Sequence, residues 1–165
     1  MSSRWLMKAV LLIPVLATAL SSVGRAQMLP NPYGAPIGVE DAKKAAAAAL
    51  AEARRNKWTM AVAIVDPSGN LVYYEKMDNT QLGSAEVSIE KARSATLYKR
   101  PSKAFQDALA GGGVGLRVLG LKGAVPVEGG IPLIADGRIV GAIGVSGDTS
   151  EHDGVCASAG ASTIR

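Results

Sequence analysis

The sequence predicts an α+β domain in which helices cover a central antiparallel sheet. Three observations carry this: a hairpin signal around Asp136-Gly137, a second across residues 66–70, and alanine-rich helical stretches outside and between them. In the later hairpin the apolar runs Ile131–Ala135 and Ile139–Val145 flank an Asp-Gly dipeptide that tolerates positive φ. The helices are too few, and the connections too tight, for a parallel doubly wound sheet, whose crossovers need roughly a dozen residues.

The first 26 residues read as a secretory signal peptide. Arg4 and Lys8 form a basic start, Ala9–Leu20 is apolar except at Pro14 and Thr18, and Gly24-Arg25-Ala26 supplies the small residues of a cleavage site. The apolar run falls short of the roughly 20 residues of a bilayer-spanning helix, which favours an exported protein, periplasmic or extracellular, over an anchored one. Cleavage after Ala26 removes Arg4, Lys8 and Arg25 from the 18 basic residues and no acid, leaving 15 against 14. The whole-chain charge of +4 therefore gives no reason to expect nucleic acid, and no Lys/Arg stripe interleaved with aromatics supplies one.

Residues 27–38, with Pro30, Pro32, Gly34, Pro36 and Gly38, are expected as an extended lead-in, and the domain follows over 39–165. Val39–Asn56 is the clearest helix. Glu40-Asp41 at its start and Arg54-Arg55 at its end suit the macrodipole, and Ala42, Ala46, Ala49, Leu50 and Ala53 form a slim apolar face. Trp58–Val65 and Leu71–Met77 make the first hairpin. Ser84–Tyr98 is expected as a helix with Val87, Ile89, Ala92 and Ala95 inward. Ser102–Ala110 is a short helix capped by Ser102 and ended by Gly111-Gly112-Gly113. Val114–Val127, punctuated by glycine and holding Pro126, is expected as loop plus a marginal or edge strand. A final helix begins near Ser150, with Asp148, Thr149 or Ser150 free to cap it.

The chemistry-bearing residues are sparse. Cys156 is the single cysteine, so the chain can form no internal disulfide; its Ala/Val-rich surroundings read as those of a buried small hydrophobe. Gly144-Val145-Ser146-Gly147-Asp148 resembles a nucleophile elbow but carries Asp148 where that motif needs glycine, and His152 is the only histidine available as a base. One histidine and one cysteine cannot supply a closed zinc site. His152 and Cys156 at i, i+4 suit a weak or intersubunit metal, although a surface histidine beside a buried cysteine is the plainer reading. Glu151, His152 and Asp153 could hold a hard cation, and a helix dipole explains acids there equally well. The glycine-rich residues 111–130 could wall a pocket open to a flat ligand.

Met60–Leu71, Lys91-Ala92, Gly129-Gly-Ile-Pro132, Gly141–Gly147, Asp153 and Ala159-Gly160 occur in an order that resembles the GlcG/HbpS family, haem-binding HbpS-like proteins related to the C-terminal domain of PduO. The resemblance covers residues 39–165. It implies a profilin-like three-layer α-β-α domain that forms homo-oligomers, with haem-binding members and an exported branch acting as a haem- or redox-sensing accessory. The residues expected at the cofactor are His152, Lys91, Gly129, Gly130, Ser146, Gly147 and Asp148; the resemblance carries over no axial ligand, and His152 at the metal is a reading from ligand chemistry.

Haem iron takes His, Met, Cys or Tyr, and the candidates are His152, Met60, Met77, Cys156, Tyr73, Tyr74 and Tyr98. His152 leads by chemistry. Met60 and Met77 read as core filler, and strand alternation places Tyr73 and Tyr74 on opposite faces. The leading expectation is thus an exported, oligomeric protein that binds haem or another planar ligand without transforming it. A rival reading is an enzyme for a small organic acid or aldehyde, with Lys91, Glu128, Ser146 and Asp148 around a glycine-walled cleft and no nucleophile–base pair to support it. A third is an interaction module for a membrane sensor.

Overall fold

Side-chain alternation along two central strands sorts the chain into three layers. In the computed structural model, which describes residues 30–165, the elements are α1 (Val39–Asn56), β1 (Ala61–Val65), β2 (Leu71–Lys76), α2 (Ser84–Tyr98) and α3 (Lys103–Ala110). A 3₁₀ stretch (Gly113–Gly120), β3 (Gly130–Ala135), β4 (Arg138–Ser146) and α4 (Ser150–Ala161) follow. The signal-peptide reading of residues 1–26 lies outside the described residues.

The strands form one antiparallel sheet of order β2-β1-β4-β3. β1 lies in register with β4, from Ala61 opposite Ser146 to Val65 opposite Ala142. Val62, Ile64, Ile143 and Val145 point to one face, where α1 and α4 complete the main core. Each such fully buried aliphatic side chain contributes about 1.5–3 kcal/mol. The other face presents Ala61, Ala63, Val65, Ala142 and Gly144, small residues that let α2 lie close. The α+β class and the three-layer arrangement expected from the sequence are therefore the ones observed.

Close approach explains the small residues. A Cβ on Gly144 would fall 1.9 Å from the Ser88 carbonyl oxygen of α2, and one on Gly160 would fall 2.5 Å from Ile143 Cδ1 and 2.7 Å from the Ala45 carbonyl oxygen of α1. Within α1 the predicted face is buried in full, with Ala45 added. The lead-in runs beside β4 where β1 has ended: Gly34 N–H donates to the Ile139 carbonyl, Ile139 N–H to Pro32, and Ile37 N–H to Val140.

Three expectations are corrected. In α2 the buried residues are Ser84, Ser88, Lys91, Ala92, Ser94, Ala95 and Thr96, while Val87 is 39% exposed and Ile89 only partly covered; where the helix crosses Gly144 its backbone lies too near the sheet to seat a large apolar side chain between them. Ser102 stands at the N-cap of α3, its carbonyl accepting from Phe105 and Gln106 N–H, but its hydroxyl does not cap the helix: it donates to the Val127 carbonyl at 2.7 Å and accepts from Gly130 N–H at 2.9 Å, fastening the chain entering β3. Residues 114–127 add no strand, and their first part winds as the 3₁₀ stretch, with the residues after it in turns and bends.

Candidate functional site

The residues singled out in the sequence converge where α2, the end of β4 and the start of α4 meet. Lys91 projects from the buried face of α2, and its Nζ lies 2.6 Å from Oδ2 of Asp153, with the two side chains 1% and 3% exposed. The ammonium also donates to the Val145 carbonyl at 3.2 Å. Burial pushes the Asp153 carboxyl up from its ordinary range and outweighs the opposing pull of the Lys91 ammonium and the Asp148 and Gly147 amides, so the net direction is upward.

Glycine and serine close around this pair. Gly129 has φ +125°, and a Cβ there would meet the Val145 carbonyl oxygen at 2.5 Å and Lys91 Nζ at 3.0 Å. A Cβ on Gly130 would fall 2.2 Å from the Lys91 carbonyl oxygen, and one on Gly147 2.0 Å from that of Thr59. Ser146 is buried, its hydroxyl 3.2 Å from that of Ser84. Lys91, Gly129, Gly130, Ser146 and Gly147 are thus brought together as packed interior. Lys91 and Ser146, two of the polar groups in the enzyme reading, are turned away from solvent.

Asp148 and His152 stand outside this interior and are tied to it. The Asp148 N–H reaches Asp153 Oδ1 at 3.3 Å, and Asp148 Oδ1 accepts the Thr149 N–H at 2.7 Å. Thr149 caps α4, its hydroxyl accepting from His152 N–H at 3.4 Å. The imidazole stacks on Trp58, with ring centroids 3.8 Å apart and planes 13° apart. His152 Nδ1 is shut off from solvent and lies 3.2 Å from Asp148 Oδ1, out of line for a hydrogen bond. The side chain is nonetheless 38% exposed, so its accessible part is the remainder of the ring.

The other iron-ligand candidates are committed elsewhere. Met60 and Cys156 are fully buried, and burial with the Asp153 and Asp148 charges pushes the Cys156 thiol up to about 11. Cys156 therefore does not share the exposed ring edge of His152. Met77 packs on the main core. Tyr73 donates to Glu75 at 2.8 Å and packs on the α1 side, the Tyr74 hydroxyl is enclosed, and Tyr98 donates to the Lys122 carbonyl at 2.6 Å. Asp153 turns inward to Lys91 while Glu151 stays exposed, and among the described residues no group of three His, Cys, Asp or Glu is placed to hold a metal ion.

Two features escaped the sequence reading: Asp153 as the partner of Lys91, and Trp58 as the platform for His152. Both join residues far apart in the chain. Two clefts, of about 700 and 730 Å³, open elsewhere, one beside the lead-in and the C-terminus and one beside the C-terminal half of α2; neither is lined by His152 or Lys91.

Fold and site define a three-layer α-β-α domain with a charged pair sealed under one end of its sheet and a histidine presented beside it. The chain belongs to the HbpS-like family: the family model described as "Haem degrading protein HbpS-like" matches residues 37–162. It is similar to Protein GlcG of Escherichia coli strain K12, 36% identical over 100 residues, which are 61% of this chain and 73% of GlcG. Among solved structures it is similar to HbpS, with TM-score 0.72 and 29% identity over 80% of this chain and 92% of that one. It is also similar to a PduOC:heme complex, with TM-score 0.70 and 26% identity over 79% of this chain and 96% of that one.

Proposed function

We propose that the protein binds haem, with His152 as the iron ligand. The observation that carries this is the setting of the imidazole: one face lies on Trp58, Nδ1 sits beside the Asp148 carboxylate, and the rest of the ring is open. The Asp148 carboxylate stands 3.2 Å from Nδ1 without an aligned hydrogen bond, so its contribution is electrostatic: its charge favours a proton on Nδ1 and a lone pair on Nε2. Val155, 46% exposed and three residues further along α4, adds apolar surface on the same side of the helix. Membership of the HbpS-like family and the likeness to the PduOC:heme complex support the reading.

Haem supplies an iron centre that takes an axial donor from the protein. The chain's own part is to hold that donor still. The buried Lys91–Asp153 pair fixes the Asp148 amide, Asp148 stands at Nδ1, and Trp58 stops the ring from turning. With one histidine per chain, a second imidazole at the same iron could come only from another copy, so homo-oligomers extend this reading. The leader-like residues 1–26 extend it to an exported haem- or redox-sensing accessory, and a membrane sensor would be its partner.

Titration of the purified domain with ferric haem tests the proposal. A saturable change in the Soret band is expected, lost or weakened in a folded His152→Ala variant. No spectral change with the unaltered protein would remove haem binding, and an unaltered spectrum with the variant would remove His152 as ligand.

A further inference from the structure

We propose that the cleft beside the C-terminal half of α2 is a second binding site, separate from His152, for a small aromatic carboxylate. Its volume of about 730 Å³ falls within the span of small-molecule pockets, roughly 300–1,000 Å³. Four stretches of chain converge on it: Tyr33 from the lead-in, the turn between β1 and β2, α2, and the loop that carries Lys122 and Gly123.

Cross-links between those stretches shape the cleft before any ligand arrives. Tyr33 donates to the Thr96 carbonyl at 2.7 Å, the Thr96 hydroxyl to the Pro67 carbonyl at 3.1 Å, Arg93 Nε to the Gly69 carbonyl at 3.1 Å, and Tyr98 to the Lys122 carbonyl at 2.6 Å. A site held open in this way loses little freedom on binding. Gly69 and Gly123 line it at φ +84° and +78°, a conformation that side chains larger than glycine resist.

Its surfaces set the chemistry of the occupant. Both tyrosine hydroxyls are spent on carbonyls, so Tyr33 and Tyr98 offer ring surface, joined by Pro67 and by Leu97, which is 57% exposed. That favours a flat apolar body. Arg93 and Lys122 supply positive charge, and the one acid in the lining, Glu90, is already paired with Arg93 Nη1 at 2.9 Å. Arg93 keeps further N–H groups for a carboxylate, and Lys122 has no acidic partner among the described residues. Lys99, its ammonium 4.2 Å from the centre of the Tyr33 ring, adds to the positive potential.

Calorimetric titration with 2-naphthoate, and with 2-naphthylmethanol as its uncharged counterpart, tests the assignment. The carboxylate is expected to bind saturably and about tenfold or more tighter than the alcohol, the scale of one charge-assisted contact. Lys122→Glu and Leu97→Asp alter exposed positions, so both should fold; each should weaken 2-naphthoate about tenfold, while His152→Ala leaves it unchanged. Undetectable binding at millimolar ligand, equal binding of the alcohol, indifference to both cleft variants, or loss in His152→Ala would each overturn it. Haem titration of Leu97→Asp keeps the two sites apart: a retained Soret change with lost naphthoate binding is the result expected, and joint loss in the folded variant would overturn their separateness.

Discussion

Nζ of Lys91 lies 2.6 Å from Oδ2 of Asp153, and this ion pair, sealed from solvent, joins the middle of α2 to the first turn of α4. A Cβ on Gly129 would fall 2.9 Å from Asp153 Cβ and 3.0 Å from Lys91 Nζ, so glycine there lets the chain close over the pair. The long Lys91 side chain reaches beneath it to the Val145 carbonyl, and Asp153 meets the charge it brings.

Removing one partner strands the other charge in the interior. Asp153→Ala is expected to cost about 3–5 kcal/mol in chemical denaturation. Replacing both, as Lys91→Met with Asp153→Leu, should recover most of that. A double variant as unstable as the single one would show that the loss is one of packing alone.

The approach of α2 to the sheet is equally open to test. Gly144→Ala puts a methyl 1.9 Å from the Ser88 carbonyl oxygen, and the forced separation should lower stability by about 1–3 kcal/mol. Gly120→Ala, with nothing within 4 Å of its Cβ, should stay within about 0.5 kcal/mol of the parent. Thermal unfolding of the two variants side by side checks the contrast.

Cys156 should behave as a closed, protonated thiol. Its value is raised from 9.0 to about 11, first by burial and then by the Asp153 and Asp148 charges, so the folded protein should resist iodoacetamide at pH 8 and react readily once unfolded. Between those two values the folded state keeps a proton that the unfolded state has lost. Stability from this group therefore falls as pH rises from about 9 to about 11. Rapid alkylation of the native thiol at pH 8 would contradict the burial.

The Asp148 carboxylate should matter to haem affinity through His152. Asp148→Asn keeps the main-chain contact to Asp153 and removes the charge beside Nδ1; because the contact with the ring is electrostatic and not an aligned hydrogen bond, a loss of up to about tenfold in haem affinity is expected, the low end for a second-layer partner. Unfolding curves serve as the control, since they should move little for an exposed side chain. Unchanged haem affinity would count against the orienting role.

Much of the fold was legible in the sequence because its signals are local. The alanine face and charged ends of α1 mark Val39–Asn56, and the two turns with flanking apolar runs mark the hairpins to within a few residues. The inner face of α2 was not legible. Hydrophobicity pointed to Val87 and Ile89, whereas the sheet beneath offers Ala142 and Gly144 and admits serine and alanine. Of the site, Thr149 capping could be read from one turn of sequence, but the links from Lys91 to Asp153 and from Trp58 to His152 exist only once the sheet brings distant segments together.

Resonance Raman spectroscopy of the ferrous haem complex tests the central claim most directly, because an iron–imidazole stretching band reports the ligand itself. The band is expected with the parent protein and absent from a folded His152→Ala variant. The same band in both proteins would contradict ligation by His152, as would its absence from a parent complex whose porphyrin marker bands show five-coordinate ferrous haem.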